Sequence, residues 1–152
     1  MDATISSLTD DTVATLEQCI LKMAWHEYRR FSRALSNHQL TFPQFHTLLV
    51  IKENSKKCTM GYLADETNQV SATMTGIIDR LVERGLVERW RHPEDRRKVL
   101  VRLTEAGHAK LEDVFQATRT QLADTLTHLD EPTLNNLAFS LKRYMEVLGK
   151  VQ

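Results

Sequence analysis

The sequence is poor in glycine, proline and cysteine. Its 5 glycines and 3 prolines among 152 residues predict few turns and long elements, and therefore a mostly helical chain. Two cysteines, Cys19 and Cys58, are too few for a disulfide framework, and their spacing matches no redox or zinc motif. The chain also contains no apolar run of about 18 residues and no signal-peptide pattern at its start, so we expect a cytoplasmic protein with no membrane partner.

Motifs of catalysis and cofactor binding are also lacking. The sequence has no glycine-rich phosphate loop, no Gly-x-Ser-x-Gly and no His-Glu-x-x-His. None of its 6 histidines is paired at the i, i+4 spacing that suits a metal site on one helix. We therefore expect neither an enzyme nor a protein with a cofactor or metal. The composition, 41% hydrophobic and 26% charged, is that of a folded domain.

Apolar residues recur at helical spacing along most of the chain. Residues 1–9 lack this period and are expected to form a flexible arm. A long amphipathic helix is predicted over residues 10–35, with Asp10 or Asp11 as its N-cap. The polar residues that follow break this helix and end the segment 10–40.

A second helix opens at residues 41–44 (TFPQ), with its proline in the first turn. Two short helices joined by a polar turn follow it. Thr59 is expected to cap the first short helix and Ser71 the second, which ends at Gly85. This arrangement is the helix-turn-helix pattern.

A β-hairpin is predicted directly after the helix-turn-helix. Residues 86–91 and 98–103 are rich in strand formers and partly alternate, and the polar connection between them contains a proline. Residues 41–103 are therefore predicted to form a winged helix-turn-helix. The expected fold class is mainly α (α+β), with a two-stranded wing.

Residues 104–152 are predicted to form two further amphipathic helices, the last of which starts at Thr133. Their apolar stripes, like that of residues 10–40, lie far in sequence from the winged region. The simplest partners for these stripes are each other, within the chain and across a twofold axis. We therefore predict N- and C-terminal dimerisation helices in a homodimer.

Cationic residues are concentrated between positions 80 and 102, although the chain as a whole has no net charge. A charged run alone is typical of a solvated surface, but its place on a hairpin beside a helix-turn-helix favours a nucleic-acid partner. Arg80 is a candidate DNA-backbone contact, with an intrahelical pair to Glu83 as the alternative. The eight cations exceed the four acids in the same stretch by four; they are Arg80, Arg84, Arg89, Arg91, Arg96, Arg97, Lys98 and Arg102.

Three local sequences together resemble the MarR family of bacterial winged-helix regulators. The similarity in order and spacing covers about residues 10–150. It implies a homodimer that binds a pseudo-palindromic operator in double-stranded DNA and regulates transcription, usually as a repressor. The sequences are residues 40–45 (LTFPQF), residues 71–75 (SATMT) with 79–89 (DRLVERGLVER), and residues 93–98 (PEDRRK) with 103–107 (LTEAG).

The resemblance also implies which residues of the second short helix read DNA. The family places small polar side chains at the N-terminal end of its recognition helix, and the matching residues here are Ser71, Thr73 and Thr75, with Gln69 just before the helix. Threonine methyl groups can contact thymine methyls, and hydroxyls can bond phosphates or base edges. Ser71 and Thr73 could instead serve only the helix start, which leaves Thr75 as the freer candidate.

The hairpin tip looks like the family's Asp-x-Arg signature. An arginine at such a tip loses about 2 kcal/mol of side-chain entropy when it is fixed, and a carboxylate two residues away can orient it beforehand. We assign Asp95 as the orienting group and Arg97 as the minor-groove probe, with Arg96 and Lys98 as phosphate contacts. The alternative is a solvated turn with a weak surface ion pair.

Some members of the family respond to oxidants or to small aromatic or anionic effectors. Cys19 lies on or beside the apolar stripe of its helix, so we expect a buried, unreactive thiol there. An effector crevice between the dimer helices and the winged region could be lined by Trp25, Tyr28, Arg29, Phe45 and His46.

The predicted function is thus a dimeric DNA-binding transcription regulator that a small molecule or redox signal modulates. The alternative is a winged-helix protein-interaction module without DNA binding, against which the arginine-rich wing argues.

Overall fold

The described part of the chain contains six helices and one β-hairpin, in the order that the sequence predicts. The computed structural model describes residues 9–54, 58–95 and 97–151, and it confirms the mainly α fold class with a two-stranded wing. The elements are α1 (Asp10–Asn37), α2 (Phe42–Glu53), α3 (Met60–Glu66), α4 (Ser71–Glu83), β1 (Val87–Arg91), β2 (Val99–Leu103), α5 (Glu105–Leu126) and α6 (Glu131–Val151).

The chain divides into two compact units, one up to Gln116 and one from Ala117 onwards. The first unit holds α1 to α4, the hairpin and the first half of α5. The second holds the rest of α5 and α6. No helix of the described ranges is long and apolar enough to cross a membrane.

Helix α1 is capped one residue earlier than predicted. Its N-cap is Thr9, whose hydroxyl oxygen accepts from the amide of Thr12 at 3.2 Å, and not Asp10 or Asp11. The two aspartates lie in the first turn instead, where their charge is favourable beside the positive end of the helix dipole.

The predicted cap of α3, Thr59, is confirmed, whereas the predicted cap of α4 is wrong; α2 is capped by Thr41. Thr41 forms a capping box with Gln44, and the Thr59 hydroxyl accepts from the amide of Tyr62. The expected cap Ser71 is already the first helical residue, because extended backbone at Val70 makes the apolar Val70 the N-cap. Helix α4 therefore begins without a side-chain cap among its described residues.

The core of the first unit lies between α2, α3, α4, the hairpin and the start of α5. The apolar side of α4 is fully buried in it, as are side chains from the inner face of the hairpin. This packing leaves the opposite side of α4 exposed. The largest fully buried side chains are Leu48, Ile51, Leu63, Met74, Ile78, Leu81, Val87, Val101, Leu111 and Val114.

The hairpin pairs its strands antiparallel, from Val87 opposite Leu103 to Arg91 opposite Val99. Each strand is one residue shorter than predicted. The carbonyl of Cys58 accepts from the amide of Val101 at 2.9 Å, which fixes the hairpin to the segment before α3.

The last helix also starts earlier than predicted, at Glu131 rather than at Thr133. The Asp130 carboxylate accepts from the amide of Thr133 at 3.0 Å, so Asp130, the residue before the helix, caps its N-terminus. Hydrogen bonds from the side chain and backbone of Thr133 hold the pKa of Asp130 below its ordinary value of 3.8.

Candidate nucleic-acid interface

The predicted recognition residues share the exposed side of α4. Met74, Ile78 and Leu81 turn the other side into the core, so Ser71, Thr73, Thr75 and Arg80 are all exposed. Gln69 lies half-buried in the preceding turn, where its side-chain amide donates to the Thr67 carbonyl at 3.4 Å.

Thr75 is less free than the sequence suggests. Its hydroxyl donates to the carbonyl of Ser71, one turn earlier, at 2.9 Å. This bond holds the side chain in place and uses its only donor. The methyl group and the acceptor lone pairs remain for contacts with a partner.

Arg80 does not form the intrahelical pair considered above. Within the described part of the chain, no carboxylate oxygen lies within 4.0 Å of its guanidinium, and Glu83 is among the residues described there. Its charge is therefore available to an external anion.

The wing tip is organised around the Asp95 carboxylate. One oxygen, Oδ1, accepts from the backbone amide of Arg97 at 3.2 Å and from its guanidinium Nε at 3.3 Å. Oδ2 lies 3.7 Å from the Lys98 ammonium. The backbone hydrogen bond from Arg97 is the main cause that lowers the pKa of Asp95, so the carboxylate stays ionised in neutral solution. Arg96 falls outside the described residues.

The Arg97 side chain combines this anchorage with near-complete exposure. Its side chain is 93% exposed, whereas that of Asp95 is 30% exposed. A guanidinium held at its base and free at its end has the geometry of a probe for a groove. Sequence reasoning missed a further support, His92, whose Nδ1 accepts from the amides of Glu94 and Asp95 at 3.2 and 3.3 Å.

Five of the seven described cations in the basic stretch have partners within the molecule: Arg97 and Lys98 share Asp95 at the wing tip, and three others are bound elsewhere. Arg84 donates to two backbone carbonyls, Arg89 pairs with Asp79, and Arg102 pairs with Glu88 while lying over the Trp90 ring. The sequence alone could not separate them from the others because their partners are distant in the chain. Among the described residues, the cations that remain for an external partner are Arg80 and Arg91, together with Arg97 and Lys98 at the wing tip.

An open cleft lies between the exposed side of α4 and the half of the hairpin next to its turn. Its volume is about 390 Å³, a size that suits a small ligand. The Arg89 guanidinium is oriented there by the Asp79 carboxylate of α4 at 2.5 Å. The sequence offered no signal for this site, which is lined by Met60, Thr75, Arg89, Trp90, Arg91 and Val99.

The residues proposed for an effector crevice fall into separate environments. Phe45 belongs to the core and packs edge-on against Phe31 and Phe115, with centroids 5.0 and 5.8 Å away. Trp25 and Tyr28 stack on each other on α1 and are more than half exposed, and Arg29 beside them in the sequence is also exposed.

His46, the fifth of these residues, lies half-buried beside Phe42. The described residues contain no group of three histidine, cysteine or acidic side chains placed to hold a metal ion.

The two cysteines lie in different environments, and Cys19 differs from the expectation. Cys19 is exposed in the single chain, because only Ala34 and Leu35 of α1 are buried there, so the prediction of a buried Cys19 is wrong for this chain. Cys58 is the buried thiol, and its burial raises its pKa to about 11.

Comparison with known proteins gives a consistent family assignment. A model of the MarR family matches residues 38–98. The transcriptional repressor NicR of Pseudomonas putida is 35% identical over 101 residues, which cover 66% of this chain and 63%, just under two thirds, of NicR. The multiple antibiotic resistance protein MarR of Escherichia coli is 32% identical over 122 residues, which cover 77% of this chain and 81% of that protein.

Solved structures show the same fold. A MarR family protein from Bacillus stearothermophilus has a TM-score of 0.77 at 26% identity, and the match covers 94% of this chain and 99% of that one. A variant of S. aureus MepR bound to an oligodeoxyribonucleotide has a TM-score of 0.74 at 16% identity, with 88% and 97% of the two chains covered.

Proposed function

Because this chain belongs to the MarR family, we propose that it is a homodimeric transcriptional repressor of a pseudo-palindromic operator in double-stranded DNA. In each protomer α4 enters a major groove, and the wing reaches the adjacent minor groove. The segments 10–40 and 104–152 supply the dimer contacts.

The cationic surface shared by α4 and the wing carries the DNA-binding proposal. Arg80 on α4 has no carboxylate oxygen within 4.0 Å among the described residues, and the Arg97 side chain at the wing tip is 93% exposed. Arginine is the side chain best suited to phosphate and base-edge contacts. S. aureus MepR, which has the same fold, binds an oligodeoxyribonucleotide, and this supports DNA binding by the present chain.

Exposed apolar side chains on the outer helices support the dimer. On α1 these include Val13, Leu16 and Met23, which are between 44% and 52% exposed, and on α6 they include Leu137 and Met145. Contiguous exposed apolar surface marks an interaction site. A second copy of the same chain covers such a surface with matching residues.

The cleft beside α4 supports modulation by a small aromatic anion. Arg91 offers a charge with no carboxylate partner among the described residues, Trp90 offers a ring, and Thr75 offers its methyl group. A ligand in this cleft lies against the helix that enters the major groove. Its binding and that of DNA are therefore mutually exclusive or strongly antagonistic.

Salt-dependent DNA binding tests the proposed function. An operator selected from a random duplex pool should bind with a log affinity that falls steeply with log salt. Arg97→Ala should reduce that slope by about one, and Lys150→Ala, which removes a charge from α6, should leave it unchanged. Failure of the selection to enrich any duplex would favour the protein-interaction alternative.

Benzoate serves as the probe for the effector cleft. It should raise the melting temperature and weaken operator binding, and Arg91→Ala should abolish both effects. If Tyr28→Ala abolishes them instead, the effector binds at the crevice predicted from the sequence.

A further inference from the structure

The recognition helix is tied at its C-terminal end to the end of α1. Arg84, the C-cap of α4, donates from Nη1 to the Gln39 carbonyl at 2.7 Å and from Nη2 toward the His38 carbonyl at 3.4 Å. The residues that these bonds join are 45 and 46 positions apart in the chain. Arg84 thus joins two elements that have no sequence continuity.

The acceptors of Arg84 belong to a rigid turn. Gln39 has a φ of +57°, in the left-handed region, and the amides of Gln39 and Leu40 return to the carbonyls of Ser36 and Leu35 at 2.9 and 2.8 Å. This pair of hydrogen bonds is the Schellman ending of a helix. The carbonyls of His38 and Gln39 extend the negative end of the α1 dipole, so a guanidinium is favourable there.

The same end of α4 is also fixed to α5. The Thr104 hydroxyl donates to the Gly85 carbonyl at 2.6 Å, and the Thr104 amide donates to the Leu86 carbonyl at 3.1 Å. Gly107 packs so closely that a Cβ there would lie 2.1 Å from the Leu86 oxygen. Together with the burial of Met74, Ile78 and Leu81, these contacts and the bonds of Arg84 hold the C-terminal end of α4 against both α1 and α5.

We propose that Arg84 is a positioning residue that transmits the placement of α1 to the recognition helix. This proposal rests on the proposed function: if paired α1 helices fix the dimer, Arg84 makes the separation of the two α4 helices a defined distance. The operator half-sites must then match that distance, about one helical turn of DNA. Arg84 thereby determines which half-site spacing the dimer accepts.

Two other roles for Arg84 predict different behaviour. A phosphate contact would contribute to the salt slope, but its donors face backbone carbonyls and the residue is half-buried. A purely stabilising contact would change the melting temperature and leave the preference among spacings intact. The preference of the protein among half-site spacings therefore distinguishes a positioning role of Arg84 from a phosphate contact and from a purely stabilising contact.

The DNA experiment compares Arg84→Met and Arg84→Lys with Arg80→Gln on the same helix. Wild-type protein should bind the selected operator at least about tenfold more tightly than versions with one base pair added or removed between half-sites. Arg84→Met should reduce this ratio to below about threefold, and Arg84→Lys, which keeps one donor group and the charge, should give an intermediate ratio. Arg80→Gln should lower the salt slope and keep the ratio. An unchanged ratio in a folded Arg84 variant overturns the proposal.

A second measurement does not need DNA. Spin labels at Arg33→Cys on α1 and Thr73→Cys on α4, with Cys19→Ser, report the distance between the two helices in chains diluted into unlabelled protein. We expect a narrow distribution of label-to-label distances in the labelled chain that keeps Arg84, and a broad distribution in the labelled chain that carries Arg84→Met. Equal widths contradict the positioning role. If wild type binds no duplex but the widths differ as expected, the proposed function fails and the mechanical role of Arg84 stands.

Discussion

A single oxygen of Asp95 accepts both from the backbone amide of Arg97 and from its guanidinium, at 3.2 and 3.3 Å. The bond to the backbone fixes the turn, and the bond to the side chain limits the arginine conformers. An arginine ordered before it meets DNA loses less conformational entropy on binding.

Asp95→Asn should therefore weaken binding to the selected operator about three- to tenfold. This loss corresponds to part of the roughly 2 kcal/mol of side-chain entropy that an arginine loses when it is fixed. Binding to random duplex should not weaken, because a negative charge has been removed from the surface. Fluorescence anisotropy with both duplexes measures the ratio. Glu94→Gln is the matched control, since it removes a neighbouring exposed charge that makes no bond to Arg97 in the described residues.

The same pair predicts how the wing responds to pH. The pKa of Asp95 is lowered below 3.8 in the folded chain, so its interactions are fully present above that value and are lost as the pH falls through the folded pKa. The contribution of Asp95 to operator binding, measured as the ratio of wild type to Asp95→Asn, should be constant from about pH 5 to 8. A ratio that changes within this range would show that another group controls the wing.

Asp79→Asn should release Arg89 from α4. The pair is partly exposed, so the melting temperature should change little, as expected for a surface ion pair worth about 1 kcal/mol or less. The freed guanidinium adds a cation to the proposed DNA surface, and the salt slope should become steeper by about one. Glu83→Gln removes an equal charge from the same helix without freeing a described cation, and a slope that steepens equally in this control would refute the interpretation.

Gly107→Ala should destabilise the chain by about 1–3 kcal/mol or more, because the new methyl group overlaps the backbone oxygen of Leu86. Gly61→Ala is the control: it lies in α3, a Cβ added there would meet nothing within 4 Å, and helix propensity favours the alanine. Thermal unfolding of the two variants should therefore move in opposite directions. A neutral Gly107→Ala would mean that α5 can shift away from the hairpin at little cost.

Cys58 should resist alkylation in the native protein. Burial raises its pKa to about 11, so the reactive thiolate is scarce at pH 8 and the sulfur is shielded. In a Cys19→Ser background, iodoacetamide should modify Cys58 only after urea is added. Rapid labelling without denaturant would show that the segment before α3 opens readily.

Local signals in the sequence were sufficient for some helix ends. Thr59 and Gly85 act where predicted because capping depends on side chains and backbone within a turn of the cap. The prediction for Ser71 was wrong by one residue because the backbone dihedrals of Val70, set by the preceding turn, decide where α4 begins.

Long-range partners could not be predicted from the sequence. Spacing gave the Asp95–Arg97 pair, which is separated by two residues, and their assignment as a DNA-binding unit stays a prediction. Arg84 meets its partner Gln39 only in the folded chain, so it was counted among the exposed cations of the basic stretch. The cleft with Arg89 was missed for the same reason, since α4 and β1 together form it.

Hydroxyl-radical footprinting of the selected operator tests the central claim most directly. Two chains bound to one operator should protect the minor groove at two symmetric positions, each beside a half-site. Arg97→Ala should lose these two protected positions and keep the major-groove contacts of α4, which guanine methylation reports. Minor-groove protection that persists in Arg97→Ala, or a footprint without twofold symmetry, would contradict a dimer that places its wing arginines in the minor groove.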